Sequence, residues 1–387
     1  MGTKQADSAV PAIKCFLNAG SHPVALDSGS QGPSISCEKL PGQSGVTYGQ
    51  YLHSVARLLS QNSFEILREL LNKQPKPVPN LEASSSIELI AEKHGALYSV
   101  SRLLVRFGED SRQFAVNCAL SLAQKAFLQV EARLLSELRA RFDLPYLPLR
   151  FISAEAPGLM LFIAEWFENH HEFHLSANGS GVPAIKIWND EEERKILDGA
   201  KVPELYAQAS KILTSYLDVE SFSQIYPWHH AAGDFIIDDT QNPLSLRLIT
   251  ARGYRPLLPQ ESDCGDKMLG ALHFFVNLCL RMRLDRLEGV GALAWAGPHC
   301  LPGIVRGFME AWKTVRKDTT LPKAEEIFFL FLALSSEERL AFAQAVAANG
   351  MVEADESDFL FARLPGCMSE LANTLEDLTF TLEGDLK

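Results

Sequence analysis

The sequence predicts an α+β protein of two lobes, with an antiparallel sheet in a small lobe and a larger lobe that is mainly helical. Three observations lead to this prediction. The chain has 387 residues, which is more than a single hydrophobic core usually serves. Short β-type runs interrupted by glycines dominate residues 87–116. From about Lys201 onward, the spacing of apolar residues is mainly that of helices.

Breaks in composition and periodicity divide the chain into segments. The first residues are rich in Gly, Ser and Pro without sustained apolar periodicity, which is typical of a mobile arm. One polar turn separates two apolar runs at residues 235–238 and 244–250, which predicts a hairpin within the helical lobe. The predicted segments are a disordered arm at 1–49, a helix and linker at 50–86, the small sheet-bearing lobe at 87–168, the mainly helical lobe at 169–317, and a helical extension with an acidic tail at 318–387.

Composition and charge exclude several classes of protein. The formal net charge is −12, whereas a nucleic-acid partner would require clustered Lys and Arg to neutralise phosphates. The seven cysteines form no Cys-x-x-Cys pair, which fits reduced thiols better than a disulfide scaffold or a zinc ribbon. No apolar run approaches the roughly 20 residues that span a bilayer. We therefore expect a cytoplasmic protein whose partners include neither nucleic acid nor a membrane.

Several short features follow one another in a particular order. The β-type runs contain the turn His94-Gly95-Ala96 and end in the strand Phe114-Ala115-Val116-Asn117. A helix with the internal acidic residue Glu131 comes next, then a buried strand, and then helices around a single polar hairpin. This order resembles the aminoglycoside and choline phosphotransferases, which are relatives of the protein kinases. The resemblance covers residues 87–312 and depends on order and spacing more than on exact motifs.

In the small lobe, the resemblance implies three residues for nucleotide binding. Gly95 would lie in the turn over the phosphates, although a single glycine is also typical of an ordinary hairpin turn. Asn117 stands where the family has its phosphate-binding lysine, and Glu131 is the helical partner of that position. An asparagine can donate a hydrogen bond to phosphate but supplies no positive charge. The resemblance therefore implies that the usual electrostatic clamp on the nucleotide is lost.

The hairpin region can be aligned with the family pattern His-Gly-Asp-x-His-x-x-Asn in two ways. In the first register, His229 takes the position of the catalytic Asp, and Asp234 takes that of the metal-binding Asn. In the second, residues 232–234 correspond to His-Gly-Asp, and Asp234 becomes the catalytic carboxylate. The first register is preferred because the second places the apolar residues 235–237 in a polar loop. Both registers give Asp234 a working position, and an alternative is that it only caps the turn.

A second metal-binding carboxylate of the family has no counterpart in this sequence. The family pattern places an Ile-Asp pair after the hairpin, and this chain has Ile249 followed by Thr250. A magnesium ion held by phosphates and one or two carboxylates needs such oxygens, and a threonine hydroxyl is a poor substitute. The resemblance therefore implies a weakened magnesium site.

A separate group of residues suggests a different chemistry. His170, His171 and His174 include two imidazoles four residues apart, a spacing that can hold zinc on a helix. With His229, His230 and Asp234, they could form the metal site of a hydrolase. The catalytic-zinc pattern His-Glu-x-x-His is absent, however, and the alternative is a group of polar residues without a metal.

These observations favour a degenerate phosphotransferase-like protein that binds a small molecule or a protein partner without efficient phosphoryl transfer. Two alternatives remain open, namely a divergent but active kinase and a metal-dependent hydrolase. ATP and magnesium would be cofactors only of the active kinase. The sequence leaves open whether the protein is an enzyme.

Overall fold

The chain folds into two compact units of mixed helix and strand. The computed structural model describes residues 10–18, 23–27, 46–94, 97–178, 183–188, 195–228, 234–256, 264–289, 291–316, 320–349 and 354–384. Unit 1 consists of Met1–Arg141, Pro148–Glu168 and Asp190–Glu192, and unit 2 of Phe142–Leu147, Asn169–Asn189 and Glu193–Lys387. The structure confirms the predicted mixture of helices and strands.

Unit 1 is built on a seven-stranded mixed sheet with the strand order β2-β1-β3-β4-β5-β7-β6. All neighbouring pairs are antiparallel except β1 with β3. Its elements are β1 (Ile13–Asn18), β2 (Pro23–Ala25), α1 (Tyr48–Leu59), α2 (Gln61–Asn72), β3 (Ser86–His94), β4 (Ser99–Phe107), β5 (Asp110–Ala119), α3 (Leu122–Phe142), β6 (Arg150–Ala156) and β7 (Leu159–Glu165). The predicted antiparallel strands, the helix that carries Glu131 and the buried strand that follows it are therefore confirmed.

The prediction of a disordered arm is wrong for the part of residues 1–49 that the structure describes. Strand β1 pairs in parallel with β3, so that Ile13 lies opposite Ile87. Cys15 is buried, and Ile13 and Leu17 pack on the same core. These three alternating residues form a pattern too short to stand out from the Gly- and Ser-rich sequence around it. Pairing with β3 stabilises the strand, and this long-range contact is not visible in the local sequence.

The core of unit 1 lies between α1, α2 and one face of the sheet. A capping box begins α1, because the Thr47 hydroxyl accepts from the Gln50 amide at 3.2 Å and the Gln50 side chain accepts from the Thr47 amide at 3.0 Å. Leu52 and Val55 are fully buried. The structure has two helices that meet at Ser60, where the sequence predicted a single helix.

Unit 2 combines a five-stranded sheet of order β10-β9-β8-β12-β13 with most of the helices. Two further strand pairs, β11 with β14 and β15 with β16, are short. Its elements are β8 (His171–Ser176), β9 (Ala184–Trp188), β10 (Lys195–Ile196), α4 (Val202–Ser215), β11 (Gln224–Ile225), β12 (Phe235–Asp238), β13 (Ser245–Leu248), β14 (Tyr254–Arg255), α5 (Cys264–Arg281), β15 (Leu284–Arg286), β16 (Leu293–Trp295), α6 (Leu301–Val315), α7 (Ala324–Ala333), α8 (Ser336–Asn349), α9 (Ala354–Phe361) and α10 (Leu364–Gly384). Strands β12 and β13 form the predicted hairpin.

Helices α4 and α6 approach each other backbone to backbone. A Cβ atom at Gly303 would lie 2.1 Å from the carbonyl oxygen of Pro203, and one at Gly307 would lie 2.0 Å from that of Ala207. The Ser210 hydroxyl also donates to the carbonyl of Ile304 at 2.8 Å. Two glycines one helical turn apart therefore allow a separation that no larger residue permits.

The C-terminal segment is helical and packed, so the predicted solvated acidic tail is wrong within the described residues. Helix α10 buries a stripe at helical spacing, consisting of Leu364, Cys367, Met368, Leu371, Ala372 and Leu375. Its acidic residue Glu370 accepts from the buried Arg283 at 2.6 Å. A capping box begins α8, because the Ser335 amide donates to the Glu338 carboxylate at 2.8 Å and the Glu338 amide donates to the Ser335 hydroxyl at 3.2 Å.

The close approach of α4 and α6 predicts that a Gly→Ala substitution at their contact lowers stability, whereas the same substitution in α10 does not. Gly307→Ala should destabilise the protein by at least about 1–3 kcal/mol, because the added methyl group meets backbone atoms that cannot move freely. Gly366→Ala, in α10, meets nothing within 4 Å and should be neutral or stabilising by up to about 1 kcal/mol. Urea unfolding of both variants checks this, and equal effects would contradict the close packing.

Candidate functional site

The base of the β12–β13 hairpin holds two of the residues that the sequence singled out, Asp234 and Thr250. Phe235 lies opposite Leu248 in the hairpin register. One residue further out, the amide of Ile249 donates to the carbonyl of Asp234 at 2.9 Å. Thr250, which follows Ile249, is also buried. Asp234 and Thr250 therefore lie at the same end of the hairpin, as the order of the motifs predicted.

The Asp234 carboxylate forms an ion pair with an arginine that the sequence prediction did not include. The Arg252 guanidinium donates to both carboxylate oxygens of Asp234, and one of these contacts measures 3.1 Å. The Asp234 side chain is 0% exposed, whereas that of Arg252 is 24% exposed. A bidentate pair of this kind is strong and geometrically specific. A divalent cation on the same oxygens would lie beside the positive charge of Arg252 and would be repelled.

Helix α4 holds the hairpin through two polar side chains. The Glu204 carboxylate accepts from the amide of Leu244 at 2.9 Å. The Gln208 side chain accepts from the amide of Leu246 at 3.2 Å and donates to the carbonyl of Leu244. These bonds attach α4 to the start of β13, at the turn end of the hairpin.

The loop that leads to Asp234 is anchored at its start by backbone contacts. The amide of Tyr226 donates to the carbonyl of Gly253 at 3.1 Å, and a Cβ atom at Gly253 would lie 2.4 Å from the Tyr226 carbonyl oxygen. Trp228 is buried edge-on against Phe235, with ring centroids 6.4 Å apart. His229 lies outside the described residues, so its predicted catalytic position stays a prediction.

In unit 1, one of the predicted nucleotide-binding residues, Glu131, is hydrogen-bonded to another side chain of the unit. Glu131 on α3 is buried and accepts a hydrogen bond from the Tyr98 hydroxyl at 2.5 Å. Asn117 lies opposite Val100 in the β4–β5 register. Because side chains alternate along a strand, Asn117, Val100 and Tyr98 belong to the same face of the sheet. Tyr98 thus contacts the glutamate that the family pairs with lysine. Gly95 lies outside the described residues.

The same face of the sheet carries a polar network around Arg102. Arg102 lies opposite Ala115, and Ala115 precedes Asn117 by two residues in β5. Its guanidinium is 2.6 Å from the Glu92 carboxylate, donates to Gln113 at 3.2 Å, and lies 5.4 Å from the centre of the Trp166 ring. A charged side chain with these three contacts occupies the sheet face next to Asn117.

Of the histidines in the hydrolase alternative, one is hydrogen-bonded and another is buried by ring packing. His170 hydrogen-bonds the Ser245 hydroxyl at 3.0 Å. His174 is buried against the Trp188 ring, with centroids 4.4 Å apart, and lies 3.6 Å from the Glu172 carboxylate. Within the residues that the structure describes, no three His, Cys, Asp or Glu side chains are placed to hold a metal ion. The segment 171–174 is a strand, so the helical zinc spacing does not apply.

Asp285 on β15 is a buried carboxyl group that the sequence prediction missed. Its oxygens accept from the amides of Leu175 at 2.8 Å and Arg286 at 2.6 Å. Burial raises the pKa of Asp285 to about 7, and the two amides and the charge of Arg286 oppose this shift only in part. The carboxyl group attaches β15 to β8 and is partly protonated near neutral pH.

The missed residues differ in how visible they were in the sequence. Arg252 lies two residues after Thr250, and a basic residue so close to the expected magnesium site was a usable signal. Tyr98 and Asp285 had no such signal, because only strand pairing and packing bring them to their partners. The five described cysteines, Cys15, Cys118, Cys279, Cys300 and Cys367, are buried free thiols.

The comparisons with known proteins assign no family. No protein-family model matches the sequence, and no curated protein matches it. Among the described residues, no helix is both long and apolar enough to cross a membrane.

The Asp234–Arg252 pair predicts a large difference between two nearby arginines. Arg252→Ala should lower the free energy of unfolding by about 3 kcal/mol, because it leaves a buried carboxylate without its counter-charge. Arg255→Ala removes an exposed arginine from the same segment and should change stability by less than about 0.5 kcal/mol. Asp234→Asn combined with Arg252→Ala should recover part of the loss. Equal stabilities of the two single variants, measured by urea unfolding, would show that the pair is not structural.

The pKa of Asp285 predicts a pH-dependent effect of Asp285→Asn. Because the folded-state pKa is raised from 3.8 to about 7, ionisation disfavours the folded state. This cost is absent below about pH 4, grows as the pH rises, and is complete above about pH 7. Relative to the parent, the variant should therefore gain stability from pH 4 to pH 8, by on the order of 4 kcal/mol. Urea unfolding across this range measures the difference, and a difference independent of pH would contradict the prediction.

Proposed function

We propose that this protein is a kinase-like, phosphotransferase-related protein that has lost efficient phosphoryl transfer and works by binding a small molecule or a protein partner. The observation that carries the proposal is the bidentate pairing of the fully buried Asp234 with Arg252. Phosphoryl transfer depends on cations placed around the phosphates and on carboxylates that hold them. Here the main candidate carboxylate holds an arginine of its own chain.

The order of elements in unit 1 supports the kinase-like assignment. Strands β3, β4 and β5 form an antiparallel meander, α3 follows β5, and β7 returns beside β5. The strand that ends near Asn117 is therefore followed directly by the helix that carries Glu131. Protein kinases use this relation between a strand and a helix to pair their lysine with a glutamate.

Two further positions support the loss of phosphoryl transfer. Asn117 offers no charge to a phosphate, and the hydroxyl of Tyr98 already contacts Glu131. Thr250 lacks the carboxylate that would hold a second magnesium contact. Each of the three electrostatic elements of the reaction is thus replaced by a neutral group or by an internal pair.

The two alternatives make different demands on the protein. An active kinase would need ATP and magnesium, with Asp234 released from Arg252 during the reaction. A metal-dependent hydrolase would need ligands from the histidines, and the described residues contain no such group. The net charge of −12 argues against nucleic acid as the partner. Buried free thiols suit a cytoplasmic location.

We expect magnesium-ATP at millimolar concentration to leave the melting temperature unchanged. A ligand at about one hundred times its dissociation constant would stabilise the protein by about 2.7 kcal/mol, which a thermal-shift assay resolves. Asn117→Lys is the matched variant, since it places a cation at the position where the family has its phosphate-binding lysine. A rise in the melting temperature of this variant, but not of the parent, would show that the missing charge is the reason why nucleotide binding was lost. A magnesium-dependent shift in the parent, with ATP turnover, would establish the active kinase instead.

A further inference from the structure

Unit 2 contains a cavity that shares no residue with the hairpin base. Its volume is about 210 Å³, and it lies between the β8–β9–β10 side of the sheet, the start of α4 and the turn before α6. The walls are buried and mostly apolar, and consist of Leu175, Ile185, Leu197, Val202, Tyr206 and Ala296. Such walls favour the transfer of an apolar group out of water.

The volume limits the size of a ligand. An apolar cavity of about 150 Å³ in another protein binds a benzene ring. The cavity of unit 2 is somewhat larger, so it can take one six-membered ring with one or two additional heavy atoms. A bicyclic cofactor or a nucleotide would extend out of it.

His299 supplies a polar group at the exposed rim of the cavity. Its ring lies directly over Gly297, where a Cβ atom would be only 2.7 Å from Nδ1 of the imidazole. Partial burial and the nearby positive charge of Arg283 lower the pKa of His299, which favours the neutral imidazole. A neutral imidazole has one donor and one acceptor nitrogen, which suits the hydroxyl group of a ligand.

The entrance is open and partly apolar. Gly199 lines the cavity, and a side chain added there would meet no atom within 4 Å. Ile196, also at the rim, is 55% exposed, which is high for an aliphatic side chain. A bound ring would cover part of Ile196, and burial of this surface would add to its affinity.

We propose that this cavity binds a small uncharged molecule made of one ring and one hydroxyl group, with the ring against the apolar walls and the hydroxyl hydrogen-bonded to His299. A charged ligand is disfavoured, because its desolvation within apolar walls is costly. The proposal does not depend on the kinase-like assignment.

The test uses the full chain and simple probes, namely phenol and benzyl alcohol, with toluene, benzoate and benzylammonium for comparison. Binding is measured by ligand-observed NMR titration. We expect saturable binding of phenol and benzyl alcohol, about tenfold tighter than that of toluene because of one hydrogen bond. Benzoate and benzylammonium should bind more weakly than the two alcohols.

Two variants and one control assign the binding to this cavity. Gly199→Leu adds a bulky apolar side chain to the residues that line the entrance and should change the affinity for both alcohols at least tenfold. Gly366→Leu makes the same change at an open position of α10 and should leave binding unchanged. His299→Leu should keep toluene binding and remove the preference for phenol. Phenol binding that is non-saturable, unaffected by Gly199→Leu, or weaker than that of benzoate would overturn the proposal.

Discussion

The contact between α4 and α6 is the constraint on which the rest of unit 2 depends. Gly303 and Gly307 let the two helices meet at backbone distance, which fixes the position of α4. From its other side, α4 holds the β12–β13 hairpin through Glu204 and Gln208. The same helix supplies Tyr206 to the wall of the cavity. Two glycines in α6 therefore help to position both the turn end of the hairpin and the cavity.

The acidic residues that phosphate chemistry would use are both engaged within the chain. Asp234 pairs with Arg252, and Glu131 accepts from Tyr98. Such pairing is favourable in a buried setting, because an unpaired carboxylate there would cost far more than the pair. It also leaves these groups poorly suited to bind magnesium or to order a lysine. The same contacts that stabilise the fold thus argue against phosphoryl transfer.

The arrangement of the residues that phosphoryl transfer would use could be predicted from the sequence only in part. The position of Asp234 at the hairpin base followed from the lengths of two apolar runs and the turn between them. The arrangement of Asn117 at the end of a central strand, followed by the helix of Glu131, followed in the same way. The partner of Glu131 could not be predicted, because Tyr98 reaches it across 33 positions of the chain.

Local patterns in the sequence determined the strands and helices of the sheet-bearing region, the hairpin and the capped start of α8, because alternation, helical spacing and capping residues act over a few positions. The buried stripe of α10 was also present in the sequence, but the count of acidic charges concealed it. Only the tertiary structure decided that β1 pairs with β3, that Arg252 pairs with Asp234, and that Asp285 accepts a hydrogen bond from the amide of Leu175. Each of these depends on strand pairing or burial between distant segments, where small differences in register change which side chains meet.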